Sequence, residues 1–159
     1  MIIFIMENII SLLAIFSKTY PQLKDIEIEV IPYNNIFVAK CIADKACEYI
    51  PVKKGRIHDV IPRKIILTTC AMEKQEQELL FIFTHECAHG ITPHRERKVK
   101  NNYVRIDHSR QFYIIFFKLI LIANEYNYIT RKFATIEELM TRDNRNENMS
   151  NDLKIYSKV

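Results

Sequence analysis

His85-Glu86-Cys87-Ala88-His89 combines side-chain types and a spacing that together specify a chemistry. On a helix, residues four apart project from one face, so the imidazoles of His85 and His89 can share a single metal ion. Zinc accepts such nitrogens at ~2.0–2.1 Å and keeps an open position when three protein ligands hold it. Glu86 is turned about 100° from His85, which aims its carboxylate at a water beside the metal rather than at the metal. A carboxylate so placed takes that water's proton and later delivers it to a leaving amine. The expected chemistry is zinc-dependent hydrolysis, with Glu86 as the catalytic base and His85 and His89 as ligands.

A third ligand has to come from outside this pentad. His94 is nearest in sequence, but it lies past Gly90 and Pro93. The extended pattern H-E-x-x-H-x-x-G-x-x-H is not met, because Thr92 and Arg95 stand where Gly and His are required. Glu125 sits at the far end of the next apolar stretch, where a solvated helix face also suits it. His108 directly precedes that stretch, which can pack against the first helix, and it is the preferred third ligand. His58 lies among Lys and Arg residues and reads as a surface histidine.

The elements that must position these groups can be read from periodicity. Glu7 to about Tyr20 reads as an amphipathic helix closed by Pro21. Ile26–Val30 alternates apolar and polar residues as a half-buried strand does, and Ile36–Ile42 reads as a second strand after the turn residues Pro32–Asn35. Ala43–Ile50 is ambiguous, and Lys53–Pro62, with Gly55, reads as a loop or wide hairpin connection. Lys64–Thr68 reads as a short strand. Met72–His89 reads as one helix, with Glu73 and Glu76 in its opening turns and Gly90 and Pro93 ending it. Ile91–Asp107 shows no period. Arg110 to about Asn127 reads as a second, strongly apolar helix. Thr135-Ile136-Glu137-Glu138 has capping-box spacing and can start a short last helix. The fold class implied is α+β, a short mixed sheet packed on the H-E-x-x-H helix and a following apolar helix. Residues 1–140 form a single domain, and 141–159 form a polar, flexible tail.

Composition bounds the rest. The chain is 48% hydrophobic and 26% charged, enough for a core and for solubility. Only two glycines, Gly55 and Gly90, leave no interdomain linker. Cys41, Cys47, Cys70 and Cys87 have no CxxC spacing, so reduced thiols and an intracellular location, cytoplasmic or nuclear, are expected. The apolar N-terminus, Met1–Phe16, is too short to span a membrane and is broken by Glu7, Asn8 and Ser11. It also lacks the basic start and cleavage site of a signal peptide. Heavy use of Ile and Asn reads as A/T-rich coding, as in some viral or parasitic genomes.

At Asp107-His108-Ser109-Arg110-Gln111-Phe112-Tyr113 a wider pattern emerges. An H-E-x-x-H motif, a variable spacer and then His-Ser-x-x-Phe-Tyr opening an apolar helix resembles the WLM and SprT-like zinc metallopeptidases. The resemblance covers roughly Ile61 to Ile129. It implies a zincin-like peptidase domain with His85, His89 and His108 as zinc ligands, Glu86 as general base and Phe112 packed behind His108. It also likens Ile61–Leu67 to the family's edge strand along the substrate cleft, and it implies substrates associated with or crosslinked to DNA. The spacer from Gly90 to Asp107 is longer than in the compact WLM members.

Charge bears on that last point. Between His94 and Arg110 there are six Lys/Arg and two acidic residues, an excess equal to the +4 net charge of the chain. Arg95, Arg97, Lys98, Lys100 and Arg105 could meet phosphates and Tyr103 could stack on a base. A solvated loop explains the same residues. Two other functions fit the motif: a regulatory peptidase of the ImmA/IrrE kind cutting one partner, and a zinc-stabilised binding module without turnover.

Overall fold

The computed structural model describes residues 2–149, with side chains from 4 to 144. The chain is mixed α and β. Helix α1 (Ile2–Thr19) leads through a short turn at Pro21–Leu23 into strand β1 (Glu27–Ile31). Strands β2 (Ala39–Lys45), β3 (Ile50–Val52), β4 (Gly55–His58) and β5 (Val60–Thr68) follow. A single turn of helix, α2 (Thr69–Met72), precedes α3 (Glu76–Ile91). Strands β6 (His94–Val99) and β7 (Asn102–Ile106), then helices α4 (Arg110–Glu125) and α5 (Ile136–Met149), complete the order.

Two sheets form. The first is three-stranded and mixed, in the order β1-β5-β2, with β1 parallel and β2 antiparallel to β5. The second is four-stranded and antiparallel, β3-β4-β6-β7. β5 is therefore a central strand, which corrects its expected place at an edge. The edge beside α3 belongs to β2. Parallel pairing with β1 covers Lys64–Thr68 and antiparallel pairing with β2 runs from Val60 to Leu67, so Lys64–Leu67 is paired on both sides and Val60–Pro62 is paired on the β2 side alone.

Helices α1, α3 and α4 cover the first sheet with one apolar interior. Ile9, Leu12 and Phe16 of α1, Leu79 and Phe83 of α3, and Phe112, Phe116, Leu119 and Ile120 of α4 are fully buried with Ile65 and Leu67 of β5. Each such side chain contributes about 1.5–3 kcal/mol on leaving water. No helix among the described residues is long and apolar enough to cross a membrane.

Several local expectations change. The helix read as Met72–His89 is broken at Glu73–Gln75, so Glu76 and Glu78, not Glu73, occupy the first turn of α3. Gly90 lies inside α3, and Thr92 caps it. A Cβ at Gly90 would come 2.9 Å from the Pro62 Cβ and 3.3 Å from the Cys41 sulfur, so this glycine serves close packing of helix on sheet. The stretch that shows no period in the sequence, Ile91–Asp107, is mostly a tight hairpin turning at Lys100, whose φ is 56°. Residues 141–149 continue α5 instead of fraying, and the rest of the expected tail lies outside the described residues.

Candidate metal centre

Three elements deliver the site. α3 presents His85 and His89 one turn apart on the side that faces α4. The hairpin β6–β7 then carries the chain away and returns it at His108, two residues before α4 begins. Ser109 caps α4 by accepting the Phe112 N–H at 3.2 Å, which fixes the entry of the helix and with it His108.

The three Nε2 atoms form a nearly equilateral triangle, with 3.1 Å from His89 to each neighbour and 3.2 Å from His108 to His85. A tetrahedral ion at zinc–nitrogen distances needs ligand nitrogens about 3.3 Å apart. His85, His89 and His108 are close enough to bind a metal ion together. His94 and Glu125 are not in that group. The third position therefore falls to His108 among the candidates.

The tautomer of His85 is set. Its Nδ1–H donates to Asp143 Oδ1 at 2.8 Å, which leaves Nε2 with a lone pair aimed at the triangle. Asp143 is 2% exposed, and its second oxygen accepts the Tyr113 hydroxyl at 2.9 Å. Burial works to raise the Asp143 pKa, yet His85 and its hydrogen bonds hold it below the ordinary value. A carboxylate behind a ligating histidine raises ligand basicity and fixes the ring. Arg142 anchors the same helix by binding Glu78 at 2.6 Å. Asp143 was missed because it falls in a segment read as tail. The available signal was the spacing Ile136, Leu139, Met140 and Asp143, one face of a helix.

The imidazoles rest on aromatic rings. Phe112 stacks on His89 at 4.3 Å and meets His85 edge-on at 5.0 Å, and Phe116 lies 5.4 Å from His85. In this apolar bed burial pushes His89 and His108 well below the ordinary histidine pKa, His108 to about 3, with the neighbouring histidines adding to the effect. They are therefore neutral, the form that binds metal. Glu86 Oε2 is 3.9 Å from His85 Nε2, near enough to serve a water in the site. Its pKa is raised by burial, partly offset by His85 and by the backbone N–H of Cys41, which donates to it.

The outer sheet holds the remaining candidates. His58 is 6% exposed, packed between Tyr49 and His94, which corrects its reading as a surface residue. His94 accepts from Arg105 Nη2 at 3.0 Å, and burial followed by the Arg105 charge lowers its pKa to about 4. The basic residues do not share one surface. Side chains alternate across a strand, so Arg95 and Arg97 lie on one face, with Lys98, Tyr103 and Arg105 on the other. Lys100 is at the turn. One face of the Tyr103 ring is taken by the Arg56 guanidinium at 3.8 Å, leaving only the opposite face for a base. Comparison of the chain with family models, with curated proteins and with solved structures found no match.

Proposed function

We propose that the chain is a zinc-dependent metallopeptidase of the WLM and SprT-like kind, with a zincin-like arrangement of helices around the site. The observation that carries this reading is the convergence of three imidazole nitrogens beside a buried glutamate. A structural ion has no use for that carboxylate, whereas hydrolysis does. Three imidazole ligands with one open position suit zinc better than ions that prefer oxygen ligands. When bound, the metal supplies Lewis-acid polarisation of water and carbonyl.

The chain's own groups do the rest. Glu86 takes the proton of the attacking water as the new C–O bond forms, and passes it to the amine nitrogen as the C–N bond breaks. Asp143 holds the His85 ring through Nδ1, and Tyr113 holds Asp143. Burial raises the basicity of Glu86, which suits a proton carrier working near neutral pH. The edge of β2 lies beside α3, where the Cys41 N–H already meets Glu86. An extended peptide added to that edge would bring its backbone to the site with little demand on its side chains.

DNA-associated proteins are the substrate class the resemblance suggests, and Arg97, Lys98 and Lys100, exposed near the hairpin tip, are the residues that would meet phosphates. Neutralising Arg95, Arg97, Lys98 and Lys100 together should weaken salt-sensitive DNA binding and leave zinc content intact. Unchanged DNA affinity would remove DNA from the reading.

The primary test measures zinc content and proteolysis, with and without DNA, for wild type and Glu86→Gln. Equal zinc with cleavage lowered by about 10²–10⁴-fold in the variant supports a peptidase. Zinc in both with no cleavage of any general or DNA-bound substrate favours a partner-specific regulatory peptidase or a metal-stabilised binding module.

A further inference from the structure

The outer sheet has two unlike faces. The register of β3, β4, β6 and β7 sets Ile50, Ile57, Arg95 and Ile106 side by side in one row, and Val52, Gly55, Arg97 and Val104 in the next. Val99 follows on the same side, since alternate residues of a strand share a face. Arg56, His58, His94 and Glu96 point the other way, where His58 is 6% exposed. On the first face none of the six aliphatic side chains is buried, and none packs on the main interior. Ile50 is 53% exposed and Val99 40%.

Two cations stand in the middle of this apolar field. Arg95 and Arg97 belong to β6, which has β4 on one side and β7 on the other. Among the described residues neither makes an ion pair, and the acids nearest in the chain are engaged elsewhere. Glu96 pairs with Arg56 at 2.8 Å on the opposite face, and Asp107 with Arg105 at 2.6 Å. The turns of both hairpins lie together at one end of the sheet, where the Lys98 N–H donates to the Lys54 carbonyl at 2.8 Å. Lys53 and Lys100 belong to the same end, so no acid and four lysines border the face there. Contiguous exposed aliphatic side chains mark an interaction site, and the charge set among them states the sign of the partner.

We propose that this face docks an amphipathic helix of a protein partner, one that carries two acidic residues a turn apart in the middle of its apolar stripe. Alternate residues such as Arg95 and Arg97 stand ~6.6–6.8 Å apart along a strand, and residues i and i+4 of a helix stand ~6 Å apart along its axis. Three neighbouring strands span ~10 Å, about the width of a helix with its side chains. A helix laid along β6 therefore sets carboxylates on the two arginines. Its apolar side chains meet Ile57 on one flank and Val104 and Ile106 on the other. A single extended strand would not cover both flanks. A second copy of this face would press arginine against arginine with no acid between them. Duplex DNA would satisfy the arginines and leave the aliphatic side chains against a charged backbone. An anionic membrane takes apolar groups at the centre and cations at the rim, the reverse of this arrangement. The docking face uses no residue of the metal centre and does not rest on the metallopeptidase reading.

The test titrates the full chain, labelled at Ile and Val methyl groups, with a synthetic helical peptide of leucine, alanine and glutamate whose leucine face bears two glutamates four apart. A second peptide has lysine at those two positions, and oligoglutamate supplies charge without the apolar stripe. The glutamate peptide should bind and shift the methyl resonances of Ile57, Val104 and Ile106. Arg95→Gln combined with Arg97→Gln should weaken it about 10–100-fold, the loss expected for charged hydrogen bonds. Ile57→Thr combined with Ile106→Thr should weaken it about 10-fold through lost apolar area. Helical content should match wild type in each variant. Arg95→Glu combined with Arg97→Glu should invert the preference between the glutamate and lysine peptides.

Equal affinity of wild type for the two peptides, or binding of neither, overturns the proposal. So does oligoglutamate bound as tightly as the glutamate peptide, because the aliphatic side chains would then contribute nothing. Should a variant lose its fold, the wild-type methyl shifts decide alone, and shifts confined to other residues remove the site. Duplex DNA or phosphatidylserine vesicles that shift the same methyl groups with greater affinity assign the face to nucleic acid or membrane instead. Shifts of these methyl groups with protein concentration alone assign it to a second copy of the chain, which also overturns the proposal.

Discussion

The two sheets of this molecule are held together in opposite ways. The first, β1-β5-β2, is held by a dry interior, and Phe16, Phe83, Phe116, Ile65 and Leu67 beneath it are all 0% exposed. The second, β3-β4-β6-β7, has no comparable interior. It is held by its backbone ladder and by charge against aromatic rings. The Arg56 guanidinium lies 3.6 Å from the Tyr49 ring and 3.8 Å from the Tyr103 ring, with Glu96 at 2.8 Å. Such cation–aromatic contacts contribute about 0.5–2 kcal/mol each, well below a buried phenylalanine. The candidate metal centre belongs to the dry half, carried by α3 and the entry to α4. The dry half supplies rigidity and the aromatic bed of the imidazoles, and the polar sheet carries the chain from α3 to α4.

The contrast can be broken most strongly from the dry side. Phe116→Ala removes a ring packed against His85 and should cost about 3–5 kcal/mol in a urea titration, with metal affinity falling as the imidazole bed loosens. A small loss with intact metal binding would show that the interior does not organise the centre. On the polar side, a Cβ at Gly55 would fall 2.0 Å from the Glu96 carbonyl oxygen, so Gly55→Ala should part β4 from β6. Its expected cost is about 1–3 kcal/mol, with amide exchange rising in β3, β4 and β6 and unchanged in α3. Uniform loss of protection would mean that the sheets fold as one unit.

Asp143→Ala sharpens the comparison within the dry half, where Asp143 of α5 joins His85 of α3 to Tyr113 of α4. It should lower zinc affinity by about 10–100-fold, read in a chelator competition, while the helical content stays near that of wild type. Unchanged affinity would reduce Asp143 to a helix-packing residue. A separate effect is expected from pH. In the metal-free protein His94 and His108 have pKa values lowered to about 4 and about 3, against 6.5 for the ordinary side chain. The unfolded chain therefore binds more protons between these limits, and the stability these neutral histidines contribute is present above about pH 6.5 and lost as pH falls towards 4 and then 3. Melting of the chelated protein at pH 7 and pH 5 checks this. Addition of zinc should widen the difference, because ligation also requires neutral rings.

Much of this protein is legible in its sequence. Local spacing put His85 and His89 on one face of a helix, and apolar period made α1, α3, α4 and β1 recognisable within a few residues. His108 stood out because it precedes an apolar helix able to pack on α3. These readings depend on chain neighbours, and the physics of a helix turn or a strand pleat is contained in a short window. The outer hairpin was invisible for the complementary reason. β6 carries one apolar residue, Val99, and in β7 only Val104 and Ile106 alternate about Arg105, a run too short to mark a half-buried strand, and the turn at Lys100–Asn101 carries no glycine.

What the sequence determined by itself was the donor set and the helices that bear it, because these follow from side-chain type and a period of a few residues. Only the tertiary structure decided which strand is central and which histidine Asp143 meets. Each of those depends on segments far apart in the chain, 58 residues in the case of His85 and Asp143. Their approach is set by burial of the shared interior, and no local pattern records it.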